Sequence, residues 1–382
     1  MKFAHLGDCH LGSWRLPELQ QLNFQSFSLA INKCISRQVD FVLIAGDLFD
    51  SAYPPIEILK NTFQEFKKLY DAQIPCFLIA GSHDYSVSGK TFLDVLEKSG
   101  FCKNATRFEI KDDKIMLLPI IYENAAIYGY PGKKSSLEVN EIKNIKLQDA
   151  PGMFKILMLH TAIRDAVPTL PIETVDETLL PEVDYLALGH LHINYHKENR
   201  VYSGPTFPNN LSELEDLKQG SFYIFDNGKI ERQQIKIKEV ISMNFEIKDA
   251  LTATEKILSG LETLDVKDKI VTIKLKGFLE KGKTTDIDFT KIENYLKSKA
   301  CFLLLRSTSQ LHMEEPEINF DSIISENLES EIINKFKESN PNKFNSLVPD
   351  LIKSLQLEKQ EDETSAVFQD RLHAETKKII QL

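Results

Sequence analysis

Phe3-Ala4-His5-Leu6-Gly7-Asp8-Cys9-His10 is a short apolar run that passes without a break into residues able to hold a metal. The same arrangement returns at residues 41–47, 76–83, 156–160 and 185–190, which end in Asp47, His83, His160 and His190. Continuous apolar runs of this length are the pattern of strands buried on both faces, as in parallel sheets. Ligands of α/β sheets gather beyond the carboxyl ends of the strands, so the five run ends are expected to converge on one site. Asp8 and His10 lie two residues apart, as do His190 and His192. In extended backbone each pair would project to one side, with Cys9 and Leu191 pointing away.

Between the runs, amphipathic spacing predicts helices over 22–36 and 55–70, the second through Leu59, Phe63, Phe66 and Leu69. Shorter helices are expected over 90–98 and 137–145. Residues 108–119, 125–130, 200–203 and 221–237 read as further strands, the last folded at Asp226-Asn227-Gly228. Residues 1–238 thus form an α/β unit. From 239 the strand-then-ligand rhythm stops, and 239–313 reads as a small α+β segment, with strands at 269–276 and 300–306 and a helix at 289–299. Residues 314–382 hold three helical patterns, at 321–337, 343–357 and 365–380. Their apolar stripes suit either a core or docking on another protein.

At 382 residues the chain exceeds one core. No run of about 18 apolar residues exists, and Met1-Lys2-Phe3 leads straight into the first strand, so neither a membrane span nor a signal peptide is expected and a cytoplasmic location is. Cys9, Cys34, Cys76, Cys102 and Cys301 are far apart and form no CxxC pair, which fits structural thiols in a reducing compartment. The net charge of −10 argues against a uniformly basic nucleic-acid surface. From Glu314 onward, however, 15 acidic residues face 8 basic ones, so the tail carries most of the excess.

Asp8, His10, Asp47, His83, His160, His190 and His192 use five of the nine histidines. Carboxylate and imidazole without thiolate favour manganese or iron over structural zinc and argue against calcium. So many donors exceed one ion with an open position; two ions sharing a carboxylate is the economical arrangement. Asp47 is the natural bridge, since it follows Gly46, where the backbone can approach closely. Two ions about 3.5–4 Å apart can hold the attacking and departing oxygens of a phosphoryl displacement.

Asp8-Cys9-His10, Gly46-Asp47-Leu48-Phe49-Asp50, Gly81-Ser82-His83-Asp84, His160 and Gly189-His190-Leu191-His192, in this order, resemble the five motifs of the calcineurin-like metallophosphoesterases. With Leu11-Gly12 and Tyr202-Ser203-Gly204-Pro205, the set is similar to the DNA double-strand-break repair nucleases of the meiotic recombination eleven and SbcD type. The likeness runs through about the first 235 residues. It implies a two-sheet α/β sandwich core (1–238), a small α+β capping domain (239–313) and a helical partner-binding tail (314–382). It also implies a manganese-dependent DNA nuclease with 3′–5′ exonuclease and single-strand endonuclease activity, a coiled-coil ATPase partner of the SbcC or Rad-fifty type bound by the tail, and a homodimer. For the dimer, Leu59, Phe63 and Leu93 are candidate anchors. Carried over by motif, one manganese ion would be held by Asp8, His10, Asp47 and His192, the other by Asp47, Ser82, His160 and His190. His83 would face the scissile phosphate, with Asp84 orienting its ring.

Two positions depart from the family. Ser82 stands where Asn is usual, a poorer neutral ligand, which leaves open a looser second site or an impaired nuclease serving as a DNA-end scaffold. Asp50 stands where some members have His. A phosphatase or cyclic-nucleotide phosphodiesterase is the rival activity; protein phosphatases of the superfamily continue with Arg-Gly where this chain has Ser51-Ala52-Tyr53. His5 reads as a core histidine, and His196, His312 and His373 as surface residues. Trp14 and Arg15 suit either stacking on a strand of nucleic acid or packing of a loop. Lys133 and Lys134 suit a solvated turn or a phosphate contact.

Overall fold

The computed structural model describes residues 1–86, 91–112, 114–313, 333, 334, 337, 344–360 and 365–380. Two six-stranded sheets make the body. In the first, the strands Lys2–Leu6, Phe41–Ala45, Cys76–Ile79 and Lys103–Asn104 run parallel in that order, and the hairpin Gly220–Asp226/Lys229–Ile235 adds antiparallel to Lys2–Leu6. In the second, Arg200–Tyr202, Tyr185–Gly189, Phe154–His160 and Ala125–Tyr130 are parallel, with Tyr195–Lys197 and Ile120–Tyr122 antiparallel at the edges.

The alternation of side chains explains why the runs are apolar throughout. Phe3 enters the layer between the sheets, with Phe41, Phe77, Ile156, Met158 and Tyr185, whereas Ala4 and Leu6 face the helices Pro17–Ser36 and Ile56–Asp71. Phe3 stacks between Phe41 and Phe225, with ring centroids 5.0 and 4.8 Å away. Each such buried side chain contributes about 1.5–3 kcal/mol. The chain therefore has the two-sheet α/β sandwich expected of it. His5 sits in the same layer, Nδ1 3.1 Å from Tyr185 Oη.

A third, three-stranded sheet is wholly parallel: Val240–Glu246, Ile270–Leu279 and Leu303–Met313, with crossover helices Ala250–Glu262 and Phe289–Ser298. It has its own core around Ile257, Ile273, Leu275 and Ile292. The first strand and its helix were not expected from the sequence. The strand expected at 300–306 begins later and extends to Met313.

Other elements differ in extent. The helix expected at 90–98 is Phe92–Lys98, started by a capping box in which Thr91 accepts the Leu93 N–H and Asp94 accepts the Thr91 N–H. Residues 137–145 shorten to Glu138–Ile142 followed by the strand Ile145–Leu147. Residues 343–357 give the helix Val348–Leu355, and Ser365–Ile380 is helical as expected. The pattern at 321–337 falls largely outside the described residues. Leu59 and Leu93 are not surface anchors: both are buried against the first sheet's helical layer, because the faces that carry them pack on the core. Among the described residues no helix is long and apolar enough to cross a membrane.

Candidate metal centre

All five run ends meet where the carboxyl edges of the two sheets adjoin, but not by the pleat of extended strands. The strand Lys2–Leu6 stops before the ligands, and Asp8 (φ 51°), His10 (φ 42°), Asp47 (φ 50°) and His190 (φ 95°) all turn through left-handed backbone. For residues other than glycine this conformation is costly, and it collects at functional sites. The i, i+2 argument for Asp8 and His10 therefore fails, although Cys9 and Leu191 do bury in the outer layers. Glycine gives the space. A Cβ on Gly46, itself at φ 87°, would lie 2.3 Å from His160 Nδ1, and one on Gly81 would lie 2.2 Å from Asp47 Oδ1.

Asp8, His10 and His192 bring one donor atom each within 4.8 Å of one another, and so do Asp8, Asp47 and His160. His160 Nδ1 lies 2.9 Å from the Ala45 carbonyl, an acceptor, so this nitrogen carries the hydrogen and Nε2 offers its lone pair. His10 Nδ1 is 3.1 Å from Asp50 Oδ1 and His192 Nδ1 is 2.9 Å from Glu213 Oε1, which fixes both rings in the same sense. Their Nε2 atoms then face each other at 3.1 Å. Two lone pairs at that separation require a cation between them or a proton on one. Asp8 Oδ2 and His160 Nε2 are buried without a hydrogen-bond partner, the latter in an ion-pair contact with Asp47 Oδ2 at 3.1 Å.

The electrostatics point the same way. Burial disfavours the charged ring of His160, yet Asp47 and Asp8 override it and push its pKa up to about 10. His192 is also raised, since Glu213 and Asp8 outweigh its burial. His190 falls to about 4 through burial and the neighbouring His160. Burial pushes Asp8 up; at Asp47 it is outweighed by His160 and His10, which hold that carboxyl well below the usual range. Two buried carboxylates thus borrow protons on rings whose nitrogens point inward. Divalent cations would supply that charge, and the donor set of carboxylate and imidazole suits them.

His83 stands at the rim, half exposed, with its backbone N–H donating to Asp47 Oδ1 at 2.7 Å. Its Nδ1 lies 2.9 Å from the Asp50 carbonyl, so Nε2 is the nitrogen free to exchange a proton. Ser82 Oγ donates to Asp47 Oδ2 at 3.3 Å. Asp84 does not face the His83 ring: buried, it accepts the backbone N–H groups of Leu48, Phe49 and Gly81 at 3.0–3.1 Å and ties two ligand loops together. Burial and the charge of Asp47 lift its pKa to about 6, against those three donors. His83 and Ser82 open onto a cleft of about 880 Å³ lined also by Asp50, Tyr53, Tyr85 and Lys134.

Glu213 escaped the sequence reading because it sits on the helix Leu211–Leu217, 21 residues beyond His192. Only the Asn210 to Glu213 cap spacing marks it, and that signals a helix start rather than a site. Asp50, a departure from the family in sequence, is the partner of His10 in the fold. Trp14 packs with Leu19, Leu22 and Phe207 and donates to the Pro208 carbonyl, which is loop packing. Lys133 pairs with Glu141. His196, His312 and His373 are exposed.

The calcineurin-like phosphoesterase family model matches residues 1–194, the stretch that contains every one of these donors. The DNA double-strand break repair protein Mre11 of Methanocaldococcus jannaschii is 31% identical over 276 residues, covering 67% of this chain and 72% of that protein. The protein of the same description from Methanosarcina acetivorans is 26% identical over 83% of this chain and 52% of its own length. That of Sulfolobus acidocaldarius is 25% identical over the whole of this chain and 97% of its own. With two sheets meeting at a carboxylate and imidazole cluster, and a matching family model over half its length, the chain belongs to the calcineurin-like phosphoesterases.

Proposed function

We propose that this protein is a manganese-dependent DNA nuclease that processes double-strand breaks; its relatives are described as DNA double-strand break repair proteins. The observation that carries the reading is the cluster of Asp8, His10, Asp47, His160 and His192, with two orphaned buried donor atoms, next to Ser82 and His83 on the wall of an open cleft. Asp8, His10, Asp47 and His192 would hold one ion, and Asp47, Ser82, His160 and His190 the other. Bound divalent ions would supply Lewis-acid charge against phosphate oxygens and lower the pKa of an attacking water.

The chain's own residues do the rest. Hydrolysis of a phosphodiester breaks one P–O bond, and the departing oxygen needs a proton. His83 Nε2, on a ring set by the Asp50 carbonyl, is placed to give it. Lys134 on the cleft wall offers a positive charge to the phosphate backbone. Residues 1–238 would carry the nuclease, 239–313 a cap, and 314–382 the surface for a coiled-coil ATPase of the SbcC or Rad-fifty type. The active form is a homodimer in the cytoplasm, with exonuclease action from 3′ to 5′ and endonuclease action on single strands.

Digestion with manganese of single-stranded and blunt double-stranded DNA, beside p-nitrophenyl phosphate and cyclic nucleotides, tests this. Cleavage of the DNA is expected. Turnover of only the small esters would make the protein a phosphatase or cyclic-nucleotide phosphodiesterase. DNA binding without any cleavage would make it a scaffold.

A further inference from the structure

Glu213 and Glu215 lie about 200° apart around the helix Leu211–Leu217, and each is drawn to a different part of the molecule. Glu213 holds His192 Nδ1 at 2.9 Å through Oε1 and accepts the Asn209 N–H at 2.8 Å through Oε2. Glu215, only 11% exposed, accepts from Thr272 Oγ1 at 3.2 Å and from Lys274 Nζ at 3.0 Å. Thr272 and Lys274 belong to the central strand of the three-stranded sheet. Between the two glutamates, Leu214 is fully buried against Val240 and Ile270, which are paired in that sheet, and against Leu22 of the nuclease body.

A helix this short has little stability of its own. Its position is set by what packs on it, and here that is largely the C-terminal α+β unit. We propose that this helix couples the α+β unit to the metal cluster: Glu213 is a positioning residue that sets the tautomer and orientation of His192, and Glu215, held by Lys274 and Thr272, sets Glu213. A carboxylate behind a ligating histidine fixes the ring and raises its basicity, and its loss commonly weakens metal binding about 10–100-fold. A partner that shifts the α+β unit would therefore be felt at His192. The inference rests on the metal reading of the cluster.

Two readouts on the full chain test it: nitrogen-15 NMR of the histidine rings in the metal-free protein, at a pH above the titration of His192, and calorimetric titration with manganese. In the parent, His192 should carry its hydrogen on Nδ1. Glu213→Leu should populate both tautomers and weaken manganese binding about 10–100-fold, while Glu213→Gln, which keeps an acceptor oxygen, should restore the tautomer. Glu215→Gln and Lys274→Met, which touch no cluster residue, should shift the His192 signals and weaken manganese binding about fivefold or more. Lys291→Met, which removes an exposed pair with Glu255 on the same unit, should do neither. Unchanged tautomer and affinity in Glu213→Leu would overturn the positioning role. Unchanged signals in both Glu215→Gln and Lys274→Met would overturn the coupling, and these two milder variants decide it if Glu213→Leu does not fold. A parent that binds no manganese would instead overturn the metal reading, with the tautomer comparison still readable.

Discussion

Asp47 accepts the His83 N–H through Oδ1, while its Oδ2 takes the Ser82 hydroxyl and lies 3.5 Å from His10 Nε2 and 3.1 Å from His160 Nε2. A carboxylate so placed spans both halves of the cluster. His83 meets the cluster from its rim, its half-exposed ring edge-on to His10 with centroids 4.6 Å apart. His83→Ala should keep manganese binding, measured by calorimetry, while slowing DNA cleavage at least about 100-fold; loss of metal would make His83 a ligand instead. Ser82→Asn should lower the manganese concentration for half-maximal cleavage, since an amide oxygen is a better neutral ligand than the hydroxyl that now leans on Asp47. An unchanged or higher requirement would mean that Ser82 already coordinates well. His5, away from the cluster, makes a prediction about stability. Burial lowers its pKa from 6.5 to about 3, so the unfolded chain binds a proton in that window which the folded chain refuses. Stability should therefore fall as the pH drops from 6.5 toward 3, with a contribution of about 1.4 kcal/mol per pH unit. Denaturant titrations of His5→Phe should show a flatter dependence; an equal slope would place the titrating group elsewhere.

At the scale of elements, the strands around the site were legible because both of their faces are buried, which leaves uninterrupted apolar runs such as Phe41–Ala45 and Tyr185–Gly189. The strand Val240–Glu246 was not legible: one face is partly open, and its sequence mixes Ser, Met, Asn and Glu among the apolar residues. The run ends named the ligands, but not the left-handed turns that aim Asp8, His10 and Asp47, since φ leaves little trace in residue type outside glycine. Nor could Asp84 be read as a clasp, because its partners are backbone N–H groups on other loops. The glycines carry the complementary prediction. Gly81→Ala removes no ligand, yet its Cβ would strike Asp47 and the Asp47 backbone N–H. It should cost about 1–3 kcal/mol of stability in thermal or denaturant unfolding and weaken manganese binding. Unchanged metal affinity would show that the loop can yield without moving Asp47.

Across the whole molecule, the charge is unevenly spread. The residues from Glu314 onward hold most of the −10 net charge, and the body that carries the cluster is closer to neutral. Ending the chain after residue 316 should leave manganese-dependent cleavage of short single strands intact and abolish co-purification with the proposed coiled-coil ATPase; retained co-purification would put the partner surface on the body. Within the body, the strand ends of two sheets and one short helix supply a single cluster, so the metal content reports on the assembly as a whole. Calorimetric titration of manganese into the metal-free chain, alongside Asp47→Ala, reads this most directly. The parent should take up two ions per chain, and Asp47→Ala should lose both together. A parent that binds no manganese, or an Asp47→Ala variant that still binds two ions tightly, would contradict the account.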